Sequence, residues 1–245
     1  MKRVPLSKYN DHATHEEFNK EEIRGAVMRQ IILGGQDGLV NVLGIVLGVA
    51  TATGDSRLVL LSGVAATFAE SISMAAVAYT STKAQKEYYQ KKLAEEEYEI
   101  EVFPKFERKE IHDIYYKKGF RGKLLAEVVK HITSNKSRWA SEMMVGELGM
   151  TDSEFDAPSR EAFVVGIASF VGSLIPLAPF FFMPSGPATI ASLIFSGIIL
   201  LAAGAIKARF TTGKPIKGAA ELAVIGILSA LAGYVIGLLF TATGF

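Results

Sequence analysis

Apolar residues are gathered along this chain into five stretches, each about as long as a bilayer is thick. A helix crossing about 30 Å of hydrocarbon needs roughly 20 residues at about 1.5 Å each. Such stretches run from Ile31 to Thr53, Leu58 to Thr80, Phe163 to Met183, Ala188 to Ile206 and Ala219 to Phe240. Three of the separators, Gly54-Asp55-Ser56-Arg57, Pro184-Ser185-Gly186-Pro187 and Thr212-Gly213-Lys214-Pro215, are turn chemistry suited to antiparallel neighbours. The fourth is different: Lys83 to Arg160 is dense in charge. No Gly or Pro falls between Thr80 and Pro104, so the second span is predicted to run on as a charged helix. Further helices are expected over Lys105–Lys118, stopped by Gly119, and over Lys136–Met150. The pattern predicts an all-α membrane protein with five transmembrane helices and a three-helix insert between helices 2 and 3. Its parts are a polar segment over 1–30, helices 1–2 over 31–80, the insert over 81–160 and helices 3–5 over 161–245. Pro176 and Pro179 predict a kink in the third span, tolerated in lipid where neighbours satisfy the freed carbonyls.

Composition sharpens this picture. Hydrophobic residues make up 49% of the chain and charged ones 21%, and because the two are segregated too little polar material remains to wrap five apolar helices in water. The 26 basic and 25 acidic residues leave a net charge of +1 without a basic, aromatic-interleaved patch, which argues against a nucleic-acid partner. With no cysteine there is no disulfide, thiolate site or thiol nucleophile, so metal chemistry must rest on carboxylate, thioether, amide or imidazole. Residues 1–29 are polar with no apolar signal-peptide core, so the first span is expected to act as its own insertion signal. Lys20, Arg24, Arg29, Lys83, Lys86, Arg160, Lys207, Arg209, Lys214 and Lys217 fall on one side of the spans, against Arg57 on the other. By the positive-inside rule the N-terminus and the insert are expected in the cytoplasm and the C-terminus opposite.

Two carboxylates break the apolar pattern. Asp37 lies about two turns into the first span and Glu70 near the middle of the second. An ionised carboxylate at such depth costs at least about 2.5 kcal/mol and calls for a partner or a watery path. At 3.6 residues per turn, Asp37, Asn41, Gly44, Gly48 and Thr51 share one stripe, and Gly63, Ala66, Glu70, Met74 and Val77 share another. Together they offer two carboxylates, an amide and a thioether to one cavity, a set suited to a transition-metal dication more than to Mg²⁺ or Ca²⁺. Gly44 and Gly48 form a Gly-x-x-x-Gly pair, which with an odd number of spans predicts a homodimer whose first helices meet at a two-fold axis.

In the insert, Glu96 with Glu99 and Glu107 with Glu110 repeat at i,i+3, so each pair projects from one helical face. Such pairs repel by a few tenths of a kcal/mol unless a cation answers them, and two readings stay open here: a solvated acidic surface or a divalent-cation site. Trp139, Met143, Gly146 and Met150 make an ordinary amphipathic stripe.

The run Asp37-Gly38-Leu39-Val40, the pair Ser73-Met74, the segment Trp139-x-x-x-Met143-Met144-x-x-Glu147-Leu148-Gly149 and Leu174-Ile175-Pro176-Leu177-x-Pro179 together resemble the vacuolar iron transporter family, over nearly the whole chain from Arg29. The resemblance implies five spans, a cytoplasmic N-terminus, a dimer, and export of cytosolic Fe²⁺, often also Mn²⁺, in exchange for protons. It implies that Asp37 and Met74 line the translocation path. It also implies that Glu96, Glu99, Glu107, Glu110, Met143 and Glu147 collect metal, with Glu95, Glu97 and Glu101 competing for the first two roles. One position departs from the plant pattern: the second-span glutamate expected two turns before the methionine is Ala66, and Glu70 stands one turn before it.

The resulting expectation is a transporter and not an enzyme, with the metal as substrate and no resident cofactor. Its translocation path would use Asp37, Asn41, Glu70 and Met74. Membrane lipid, protons and a second copy are the expected partners, and with no eukaryotic sorting signal a prokaryotic plasma membrane is favoured over a vacuolar one. Two alternatives belong to other classes. A membrane-anchored di-iron oxidase would want paired Glu-x-x-His motifs, which are absent, since Glu127 and His131 are i,i+4. A membrane-anchored metal buffer or sensor would bind without flux and leave Asp37 and Glu70 unexplained.

Overall fold

The structure, a computed structural model, describes residues 11–151, 157–211 and 213–243, with side chains from Gly25 onward. All regular structure among them is helical: α1 (Asp11–Thr53), α2 (Ser56–Val102), α3 (Pro104–Lys117), α4 (Gly122–Ile132), α5 (Lys136–Gly146), α6 (Pro158–Leu177), a short 3₁₀ turn (Ala178–Phe181), α7 (Ser185–Thr211) and α8 (Pro215–Thr243). The chain divides into two compact units, one built from the residues up to Ala78 and from Ser159 onward, the other Tyr79–Pro158.

The first unit holds five helices long and apolar enough to cross a membrane: Gly25–Thr53, the apolar part of α2, Pro158–Phe181, Ser185–Thr211 and Pro215–Thr243. Within the segment expected to be a polar lead, α1 already begins at Asp11 and continues unbroken into the first span. Between α1 and α2 the turn is made by Gly54 at φ +63°, a backbone state natural only to glycine, and by Asp55, whose Oδ1 accepts from Arg57 N at 2.7 Å. Small residues set the packing, as they do where lipid removes the hydrophobic drive between helices. A Cβ on Gly38 would come within 2.5 Å of Ser173 Oγ, and one on Gly166 within 2.9 Å of the Ala75 Cβ, so α6 lies tight against both α1 and α2.

Gly44 and Gly48, expected at a dimer axis, are instead occupied within the chain. A Cβ on Gly44 would meet Ser229 Oγ at 2.7 Å, and one on Gly48 would meet Gly233 O at 3.1 Å, so both glycines seat α8 against α1. Ser229 Oγ also donates to Val40 O at 2.8 Å across this seam. The physical reason is that α8 carries its own small-residue stripe, Gly226, Ala230, Gly233 and Gly237, all buried, which the motif on α1 meets first.

At the foot of α6 the two prolines do more than bend it. Pro176 stays inside the helix, Pro179 enters the 3₁₀ turn, and Ser192 Oγ on α7 donates to Pro176 O at 2.8 Å, supplying a donor from a neighbouring helix.

The second unit combines the charged end of α2 with α3, α4 and α5. Phe103 ends α2, and Pro104 starts α3 at a position where its missing N–H costs nothing. Gly119, at φ +102°, turns the chain after α3. Helix α4 falls where no helix was expected; its Leu125, Val129 and Ile132 repeat at helical spacing and are buried. Asn135 caps α5, its side chain accepting from Arg138 N at 2.9 Å. The core is Ile100, Ile111, Leu125, Val129, Ile132, Trp139, Ala140 and Met143.

Candidate functional sites

In the first unit the two intramembrane carboxyls meet. Glu70 on α2 comes within side-chain interaction range of Asp37 and Asn41, both on α1. Two carboxyls brought together can share a hydrogen bond when one carries a proton, and an amide such as that of Asn41 can donate to a carboxylate oxygen. Asp37, Glu70 and Met74 are half-buried and Asn41 is exposed, so the group lies open at the surface of a single chain. Met74 sits one turn beyond Glu70. Ala66 packs against the apolar cluster around Val42, Val46 and Val59.

Sequence reasoning did not single out Ser169 and Ser173, an i,i+4 pair on α6 that lies against Gly38, the neighbour of Asp37. Both hydroxyls are fully buried and have no hydrogen-bond partner among the described residues. Two serines at helical spacing in an otherwise apolar helix were the available signal.

In the second unit, carboxylate oxygens of Glu96 and Glu99 from α2 and of Glu107 from α3 come within 4.8 Å of one another. Glu110 and Glu147 add their charge to the same group. Burial, followed by the charges of Glu147, Glu99 and Glu110, pushes Glu96 up to about 7. Burial, then Glu110, Glu96, Glu99 and Glu147, pushes Glu107 up to about 7 as well. Glu110 is raised by burial and then by Glu147 and Glu99. One oxygen of Glu96 and one of Glu107 are buried with no hydrogen-bond partner among the described residues. Two orphaned buried carboxylate oxygens in a ring of like charge are a donor set that a dication completes.

Two of the competing glutamates are paired with lysines. Glu95 accepts from Lys92 at 2.6 Å, with Lys91 at 3.7 Å, and the Lys92 bond holds its carboxyl below the ordinary value. Glu101 is bonded to Lys136 of α5. Met143 is fully buried in the apolar core beside Ile111, one turn before Glu147, whose backbone N–H donates to Met143 O at 2.9 Å.

A sequence model described as the VIT family matches residues 28–238, a span that takes in both acidic groups. The chain belongs to the VIT family. Among curated relatives it is 34% identical over 220 residues to vacuolar iron transporter 2 of Oryza sativa subsp. japonica, covering 89% of each chain. It is 31% identical over 225 residues to vacuolar iron transporter 1 of Arabidopsis thaliana, covering 91% of this chain and 88% of that one. It is also 31% identical over 240 residues to the vacuolar iron transporter of Plasmodium berghei (strain Anka), covering 93% and 85%. With five apolar helices and this family membership, the chain is an integral, multi-pass membrane protein of a transporter family.

Proposed function

We propose that this VIT-family protein is a secondary transporter that moves Fe²⁺, and Mn²⁺ with it, out of the cytoplasm in exchange for protons. The observation that carries the reading is the meeting of Asp37, Glu70 and Asn41 across two membrane helices. Such a pair holds a proton when no cation is present and needs none when a dication bridges it, so metal entry and proton release are one event. Met74 adds a soft ligand that favours a transition metal. The names of the relatives support iron as the substrate.

The second unit serves as the cytoplasmic collector. Glu96, Glu99, Glu107, Glu110 and Glu147 raise the local concentration of the dication, with Met143 supporting the helix that presents Glu147. The openness of the Asp37 group at the surface of one chain supports a homodimer, in which a second copy covers it. The test is metal-dependent flux in proteoliposomes, with and without a pH gradient. Wild-type protein should carry Fe²⁺ and Mn²⁺ faster when protons can move oppositely. Asp37→Ala and Met74→Ala should fall to the liposome background with the assembly intact; undiminished flux in either would overturn the assignment.

A further inference from the structure

Where α7 returns into α8 the molecule carries a second kind of site, basic where the first two are acidic. Gly204 on α7 and Gly218 on α8 approach so closely that a Cβ on Gly218 would lie 2.5 Å from Gly204 O. This contact brings the ends of the two helices together and opens a pocket of about 330 Å³ between them, lined by Lys207, Thr211, Lys214, Lys217 and Glu221. Three ammonium groups and one carboxylate leave two net positive charges around it. Lys207 and Glu221 also border a neighbouring groove of about 510 Å³, which continues along α8 over Ala220, Val224 and Ile225 and past Gln36 on α1. Beyond those three polar residues its wall is apolar. A basic pocket at a helix end running directly into a mostly apolar groove along a membrane helix is complementary to one amphiphile.

We propose that the α7–α8 turn is a binding site for an anionic phospholipid, its phosphodiester held by Lys207, Lys214 and Lys217 and an acyl chain laid along Val224 and Ile225. Charge decides the class: basic pockets between membrane helices hold anionic headgroups. Glu221 decides within the class, because a carboxylate in the wall opposes a second negative charge and favours a singly charged diester over a phosphomonoester. The adjoining groove makes a free phosphate a poor substitute, since half of the site would remain unfilled.

The test uses the full chain in nanodiscs of phosphatidylcholine alone or with added phosphatidylglycerol. Native mass spectrometry should show phosphatidylglycerol retained by wild-type protein after delipidation. It should be lost in the K207Q/K214Q/K217Q variant and kept in K83Q/K86Q/R209Q, which removes equal charge outside the pocket. A second reading needs no variant: amine-reactive labelling of Lys207, Lys214 and Lys217 in wild-type protein should slow several-fold with phosphatidylglycerol, but not with inorganic phosphate. Equal retention in the two triple variants, equal protection of Lys83 and Lys86, or protection by phosphate alone would each overturn the proposal.

Discussion

Two acidic groups occur in this chain, and they solve the same electrostatic problem in opposite ways. Asp37 and Glu70 are two carboxyls in an apolar unit, brought together beside the amide of Asn41. Glu96, Glu99, Glu107, Glu110 and Glu147 are five carboxyls in a charged unit, and they do not satisfy each other: two oxygens are orphaned and the titration of Glu96 and Glu107 is driven to about 7. The difference follows from the solvent each unit faces. In lipid an unpaired charge is too costly to keep, so a small group with a shared proton is the most that can be held and released. Outside it, water screens the repulsion enough for a larger cluster to persist until a cation arrives. A pair suits passage, and a crowd suits capture.

The comparison can be broken most severely by neutralising the crowd. Glu96→Gln with Glu107→Gln should weaken Mn²⁺ or Fe²⁺ binding by the full chain on the order of 100-fold, as ligand charge count tunes hard-cation sites. Flux at saturating metal should keep its maximal rate. Isothermal titration beside proteoliposome assays would check both, and a lost maximal rate would mean that capture and passage are one site.

A smaller effect comes from pH. Glu96 and Glu107 titrate near 7 when folded, against an ordinary 4.5, so the metal-free folded state binds more protons than the unfolded chain between those values. The stability this contributes is fully present below pH 4.5 and fades as pH rises through 7, so metal-free protein should melt lower at pH 8 than at pH 6. Metal competes with those same protons, so its affinity should run the other way and rise at least about tenfold from pH 6 to pH 8. Melting curves and titrations at the two pH values would test the crossing; parallel trends would refute it.

The mildest perturbation separates the units. Gly233→Ala puts a methyl group against the Gly44 carbonyl, an overpacking that should cost about 1–3 kcal/mol in the α1–α8 seam. Unfolding in detergent should shift by that amount while metal binding by the glutamate cluster stays unchanged. A loss of cluster affinity would show that the two units do not fold independently.

Much of this architecture could be read from residue order. Five spans of bilayer length, the charged run between the second and third, and the departure of Asp37 and Glu70 from lipid chemistry are all local signals. Each depends on composition over one or a few turns, and solvent preference is additive along a helix. The i,i+3 glutamate pairs were legible for the same reason. Helix α4 was not recognised, although its Leu125, Val129 and Ile132 periodicity was present, because the surrounding charge masked a short stripe.

What tertiary structure alone decided was partnership. Residue order could not show that Glu95 would be paired with Lys92 on the same helix and Glu101 with Lys136 on another, while Glu96, Glu99 and Glu107 gather together. It could not say that Gly44 and Gly48 would be met by Gly233 and Ser229, nearly the whole chain away, instead of by a second copy. Nor could it show that Asp37 and Glu70 would come together. A sequence states what each helix must avoid, through the cost of exposing a group to the wrong solvent. Which group answers it is settled by long-range packing, where geometry at the scale of a single methyl or a single oxygen selects one neighbour among several of equal chemistry.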